Sequence, residues 1–196
     1  LDRLDSDAAR IGAVNTIVND EGVLTGYNTD WLAARQALEE VTALSGKVAA
    51  VLGAGGAGRA VCYALAQAGC TVHVFNRTVG RAEELAAAFG LAGAHALADL
   101  PGLSAYDILV NTTSVGYRDP ASAPIPDDWL RNTSGKVVMD IIPEPLETRL
   151  LAAARAAGAT CVPGWRMRLL QAAAQFRLYT GQEPPLAVMQ AALLET

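Results

Sequence analysis

Lysine, histidine and cysteine are all scarce in this chain of 196 residues: the lysines are Lys47 and Lys136, the histidines His73 and His95, the cysteines Cys62, Cys70 and Cys161. The cysteines are odd in number, share no metal-ligand spacing and fall within or beside stretches expected to be helix or strand. A disulfide framework and a zinc ribbon are therefore excluded, no metal is expected, and reduced, buried thiols in a cytoplasmic protein are. His73 lies mid-strand and His95 near a short strand, so both read as structural. Ser114 has no histidine placed to activate it, and no Gly-x-Ser-x-Gly elbow occurs, which excludes a serine hydrolase. Basic runs are missing too: the net charge is −5 and the pI about 5.0, so neither nucleic acid nor an anionic membrane is an expected partner. Apolar runs are broken by Gly, Arg or Gln well short of a bilayer span. Leu1-Asp2-Arg3 opens the chain with neither Met nor a signal sequence, and the expectation is a start inside a longer protein.

What the chain has is apolar residues and glycine. It is 52% hydrophobic and 18% charged, enough for a sizeable core. An apolar run from Val48 leads into Gly53-x-Gly55-x-x-Gly58, a helical stretch follows, and a second apolar run ends at Phe75. This is the pattern of a βαβ nucleotide-binding unit. Gly53 permits the tight turn, Gly55 lets the backbone approach a pyrophosphate, and Gly58 lets the helix pack against the strand. The helix start then offers free N–H groups to the phosphates. At the end of the second strand an NAD-binding unit usually carries an acidic residue against the ribose 2′-hydroxyl. Here the chain reads Asn76-Arg77-Thr78, then Arg81. A carboxylate would repel a 2′-phosphate, whereas two guanidiniums and a hydroxyl attract one, so the expected cofactor is NADP.

Residues 7–12 read as the end of a helix, and 13–19 with 23–27 as a hairpin around Asp20-Glu21-Gly22. A helix is expected over 30–41 from Trp31, Leu32, Ala34 and Leu38. Strands follow at 47–52, 70–75, 93–97, 106–111, 136–141 and 160–162, with helices at 57–68, 78–89 and 148–157 and a long loop over 112–126. Two closing helices, 166–179 and 184–195, complete the chain. The alternation implies a parallel sheet wound on both faces, in the order 3-2-1-4-5-6, with the hairpin outside it. The acid pairs Glu39-Glu40, Glu83-Glu84 and Asp127-Asp128 read as solvated charges.

Gly12-Ala-Val-Asn15-Thr16, Gly26-x-Asn28-Thr29-Asp30, Gly53–Gly58, Asn76-Arg77-Thr78, Asn111-x-Thr113-Ser114-x-Gly116, Asp140 and Gln171 occur in one order. As a set they resemble the shikimate dehydrogenase family, over nearly the whole chain from about residue 7. The resemblance implies an α/β protein with a Rossmann-type doubly wound parallel sheet at 30–165. It also implies a remnant of an N-terminal α/β substrate domain at 1–29 and C-terminal helices at 166–196 that return to that domain. It implies reversible hydride transfer between NADP and the ring alcohol of shikimate or a related polyol acid. Asn15, Asp30 and Gln171 match the substrate-contacting positions, Asp30 being one of a catalytic pair. Gly53, Ala54, Gly55, Gly56 and Ala57 match the phosphate turn, Asn76, Arg77, Thr78 and Arg81 the 2′-phosphate clamp. Thr113, Ser114, Gly164 and Met167 match the rest of the cofactor site. The Gly53–Arg81 pattern also occurs in glutamyl-tRNA reductases, against which the hairpin motifs argue.

The chain departs from the family at several points. The family's catalytic lysine lies upstream of Gly12, and Lys47 and Lys136 both lead into strands at the end away from the site. Asp30 by itself reads as a surface-accessible carboxylate, and the chain alone is expected to bind NADP with little turnover. Pro143 stands where the family usually has a tyrosine, Trp31 where glycine is usual, and Gly164-Trp165-Arg166-Met167 replaces Gly-Leu-Gly-Met. Two bulky groups and a cation near the cleft suggest a different or modified substrate. A paralogue of other specificity and an NADP-binding module without turnover stay open, as does a homodimer or a missing N-terminal segment.

Overall fold

In the computed structural model, which describes residues 1–102, 105–131 and 133–195, the chain builds two sheets. The smaller contains β1 (Arg3–Leu4), β2 (Thr16–Asp20) and β3 (Val23–Tyr27) in the order β1-β3-β2, with α1 (Ser6–Ile11) between β1 and β2. β2 and β3 pair antiparallel from Thr16 opposite Tyr27 to Asp20 opposite Val23. The turn is therefore Glu21-Gly22 alone, both at positive φ (49° and 92°), and Asp20 belongs to the strand. β1 has no sequence signal: it is two exposed residues paired parallel with β3.

The larger sheet is parallel and six-stranded. After α2 (Asp30–Glu39) come β4 (Val48–Leu52), α3 (Gly56–Gln67), β5 (Thr71–Asn76), α4 (Val79–Phe89) and β6 (Gly93–Ala96). β7 (Ile108–Asn111), β8 (Val137–Asp140), α5 (Arg149–Ala156), β9 (Thr160–Val162), α6 (Gly164–Thr180) and α7 (Leu186–Leu194) follow. The order β6-β5-β4-β7-β8-β9 is the one read from the alternation of strands and helices, and the hairpin lies outside it. Successive side chains of a strand point to opposite faces. Ala49 and Val51 accordingly join a core beneath α2, α3, α4 and α6, while Ala50 and Leu52 join one beneath α5. Short 3-10 turns at Leu97–Gly102 and Asp127–Leu130 close the second face where no element was expected. α6 starts at Gly164, two residues earlier than its periodicity indicated.

Chain order reverses between β4 and β7, opening a crevice at the carboxyl ends of the strands. Lys47 and Lys136 precede β4 and β8 at the other end, one paired with Asp107 at 3.4 Å, the other 3.9 Å above the Tyr106 ring. Leu1, Leu4 and Ile17 on the small sheet and Leu186, Val188 and Leu194 on α7 are exposed. Among the described residues no helix is long and apolar enough to cross a membrane.

Candidate cofactor and substrate site

The turn after β4 depends on two glycines. Gly53 has φ +107°, its N–H donates to the Phe75 carbonyl at 2.8 Å, and a Cβ on it would stand 2.7 Å from Thr112 Oγ1. A Cβ on Gly58 would stand 2.3 Å from the Gly53 carbonyl oxygen, so α3 can lie this close to β4 only without one. Around Gly55 and Gly56 there is open space. The first helical bond of α3 runs from Arg59 N to Gly55 O at 2.9 Å, leaving the amides before Arg59 outside the ladder. A cavity of about 370 Å³ extends from this turn, lined among others by Gly53, Ala54, Gly55, Asn76, Arg77, Thr113 and Ser114. Gly56 and Ala57 lie on the opening turn of α3.

At the far end of that cavity Asn76 closes β5 and its amide donates to the Thr78 carbonyl at 2.8 Å. Thr78 caps α4 by position without a side-chain bond, and Arg81 sits in the first turn. Arg77 and Arg81 are exposed, and neither forms an ion pair with a described residue. Two unneutralised guanidiniums this close in the chain can attract a multiply charged anion.

A buried polar network behind the turn was not read from the sequence. Thr112 Oγ1 donates to the Leu52 carbonyl at 2.7 Å, fixing the strand end that carries Gly53. Asn111 donates to Asp140 at 2.9 Å and accepts from Thr113 N and Oγ1 at 3.0 and 2.8 Å, shaping the turn that aims Thr113 at the cavity. Asp140 also accepts from Thr148 Oγ1 at 2.7 Å. Burial raises the Asp140 carboxyl above its ordinary pKa, although bonds from Thr148, Ile142 and Asn111 pull the other way. The signal available was the polar run Asn111-Thr112-Thr113-Ser114 directly after a buried strand.

Asn15, Asp30 and Gln171 come together at the junction of the hairpin, α2 and α6. Asn28 Oδ1 accepts from the Asp30 and Trp31 amides at 3.1 and 3.4 Å, starting α2 so that Asp30 is its first residue. Gln171 Nε2 donates to Asp30 Oδ1 at 2.8 Å. Asn15 is clamped at the mouth of β2: its Oδ1 accepts from Thr29 N at 2.9 Å and from Thr16 Oγ1 at 2.8 Å. Asp30 is half-buried, which corrects its reading as a surface-accessible carboxylate. Burial raises its carboxyl above the ordinary pKa, while hydrogen bonds from Asn15 and Gln171 act to lower it. Asp30 and Gln171 line a cavity of about 240 Å³ with Ala57, Pro143, Gly164, Met167 and Arg168.

Three of the bulky or charged departures lie elsewhere. Trp31 packs edge-on against Tyr63 at 5.4 Å between centroids. Arg166 grips Glu40 at the end of α2 with two prongs of its guanidinium, so Glu40 is a paired residue and not a solvated charge. Trp165 is not among the residues lining the cavity, whereas Pro143 is. The cation that does reach it is Arg168, three positions before Gln171 on α6 and so on the same face. That spacing was the signal for it.

Two family models match the chain: "Shikimate / quinate 5-dehydrogenase" over residues 34–119 and "Shikimate 5'-dehydrogenase C-terminal domain" over 164–194. The NADP(+) shikimate dehydrogenase of Moorella thermoacetica is 47% identical over 206 aligned residues, spanning 100% of this chain and 69% of its own length. That of Pyrococcus furiosus is 44% identical, spanning 97% and 68%. Among solved structures, the Thermus thermophilus shikimate 5-dehydrogenase in complex with NADP(H) and shikimate superposes with a TM-score of 0.89 at 41% identity. It covers 100% of this chain and 72% of that one. The 5-ketofructose reductase of a Gluconobacter strain gives 0.88 at 35% identity, covering 100% and 73%. The Corynebacterium glutamicum quinate dehydrogenase in complex with NAD gives 0.90 at 34%, covering 100% and 72%.

Proposed function

The chain belongs to the shikimate and quinate dehydrogenase family, and we propose that it transfers hydride reversibly between NADP and a ring alcohol of shikimate or a related polyol acid. One observation carries the reading: Gln171 and Asp30, 141 positions apart, are bonded at the edge of a cavity that also reaches Ala57 in the phosphate turn. Hydroxyl-binding groups and a cofactor cradle therefore share one cleft.

The residues fit NADP. The open space at Gly55 and Gly56 and the unladdered amides at the α3 start suit a pyrophosphate, held by Gly53, Ala54, Gly55, Gly56 and Ala57. Asn76, Arg77, Thr78 and Arg81 suit the 2′-phosphate, Thr113 and Ser114 the middle of the cofactor, and Gly164 and Met167 its nicotinamide end. When bound, NADP supplies the hydride acceptor or donor. Asn15 and Gln171 orient the polyol, and Asp30 handles the proton of the reacting hydroxyl, its raised pKa making it a better base than an exposed carboxylate. Residues 1–29 then act as part of the substrate lobe, 30–165 as the cofactor lobe and 166–196 as its return. The exposed apolar groups of the small sheet and α7 meet further protein, a preceding segment or a second copy, in a cytoplasmic enzyme with reduced cysteines.

Shikimate-dependent NADPH formation, followed by absorbance at high enzyme concentration, tests the reading. Asp30→Asn is expected to lower it about 100-fold or more while NADP affinity stays within about twofold. Full turnover in that variant would remove Asp30 from the mechanism.

A further inference from the structure

We propose that Arg59 is a positioning residue: reaching out from the helix of the phosphate turn, it fixes the corner at residues 12–15 and so sets where Asn15 stands relative to the cofactor. The proposal rests on the dehydrogenase reading above and adds a residue that acts on the reaction through another.

Arg59 follows Gly58 directly, and its amide makes the first bond of the α3 ladder. Its backbone therefore belongs to the phosphate turn, yet its side chain lines neither the cavity at that turn nor the one at Asp30. It turns instead to the end of α1. Arg59 Nε donates to the carbonyl oxygen of Ile11, the last residue of α1 and one of those that a helix end leaves without an internal partner. The guanidinium lies against Gly12, where a Cβ would stand 3.0 Å from its Nη2, and its carbon sits 5.3 Å from the centroid of the Phe89 ring. Arg59 is half-buried and forms no ion pair with a described residue, so no carboxylate among them draws it elsewhere.

Gly12 opens the corner at φ +70°, and Asn15 closes it. Between them the Ala13 carbonyl accepts from Asn28 Nδ2 at 3.1 Å, and the same Asn28 starts α2 at Asp30. The corner is thus held from two sides, by Asn28 next to Asp30 and by Arg59 next to the phosphate turn. Tyr63, one turn further along the same face of α3, supplies the contrast. Its hydroxyl donates to Asp7 Oδ1 at 2.6 Å, fastening the other end of α1, away from the corner.

The test compares the unmodified chain with Arg59→Met, Arg59→Lys and Tyr63→Phe. It measures shikimate-dependent NADPH formation at saturating NADP and high enzyme concentration, and NADP affinity by calorimetry. Arg59→Met is expected to lower kcat/KM for shikimate about tenfold or more, through kcat as well as KM, because a displaced ring is misaligned for hydride transfer. Arg59→Lys should recover part of that loss, since its ammonium can still donate to a carbonyl. Tyr63→Phe should lower the melting temperature and leave kcat and KM within about twofold. NADP affinity within about twofold in the arginine variants shows that they fold and that the guanidinium does not serve the cofactor. Where Arg59→Met does not fold, the partial loss in Arg59→Lys at intact NADP affinity decides. Unchanged kinetics in the arginine variants, or an equal loss in Tyr63→Phe, overturns this proposal and leaves the dehydrogenase reading standing. So does a loss of NADP affinity in Arg59→Met, which would make the guanidinium a phosphate ligand. Shikimate neither bound nor oxidised by the unmodified, NADP-loaded chain overturns the substrate reading and this proposal with it.

Discussion

Asp30 sits between opposing influences, and its titration reports on them. Burial favours the protonated acid, while N–H donation from Asn15 and Gln171 favours the carboxylate. The net shift is upward, so the basic form is reached only above the ordinary carboxylate range, and the acid limb of kcat/KM for alcohol oxidation should be displaced to higher pH. Gln171→Leu removes a bond that stabilises the ionised form and must move the limb further up; a limb that moves down would mean that the amide does not donate to Asp30. Arg77 makes a different single-residue case. It is exposed, and its worth lies in a charge it has no partner for in the described residues. A charge-assisted hydrogen bond contributes about 1.5–3 kcal/mol, so NADP should bind at least about tenfold more tightly than NAD, and Arg77→Ala should remove most of the difference. Equal affinities for the two cofactors in the unmodified chain, measured by calorimetry, would refute the clamp.

At the scale of elements, α3 is the part whose position is least negotiable. Its closeness to β4 is set by Gly58, where a Cβ would stand 2.3 Å from a backbone oxygen that belongs to the phosphate turn itself. Gly58→Ala must therefore push the helix start away from the turn. The expected cost is about 1–3 kcal/mol of stability from overpacking, together with a rise of about tenfold or more in the NADP dissociation constant. A thermal melt and a cofactor titration measure the two, and an unchanged titration would show the helix to be movable. This much was legible, because a glycine at such a position follows from local geometry. The order of β4 to β9 was legible for a related reason: right-handed crossovers leave few ways to stack alternating strands and helices. What stayed hidden depends on distant partners. Asn111 and Asp140 are 29 positions apart, and nothing local marks them as a pair. Arg166 and Arg168 differ in fate because residues two apart on a helix point about 200° from each other. Which of them faces the cleft follows from the phase of α6, and sequence periodicity placed its start two residues late.

Across the whole molecule, charge is distributed along the strands with a direction. The guanidiniums of Arg77, Arg81 and Arg168 gather at the carboxyl ends of the large sheet, where the crevice opens. Lys47 and Lys136 stand at the amino ends, tied to Asp107 and to the Tyr106 ring. On the proposed reading binding and proton transfer are thereby separated, because a guanidinium holds anions well but stays protonated and cannot exchange a proton near neutral pH. That reading leaves Asp30 to handle the proton at the cleft, while Lys47 and Lys136 are held at the other end of the strands. A positioned acid–base partner contributes typically 10²–10⁴-fold. The 196-residue chain should accordingly bind NADP yet oxidise shikimate slowly, and a small primary ammonium ion such as methylammonium, free to settle beside Asp30, should raise the rate in proportion to its concentration. Asp30→Asn removes the carboxylate that would attract the ammonium and should abolish that rescue while leaving NADP affinity intact. Stopped-flow measurement of NADPH formation against amine concentration distinguishes the cases. Fast turnover without amine, unaffected by its addition, would mean that Asp30 and the groups around it complete the proton transfer by themselves.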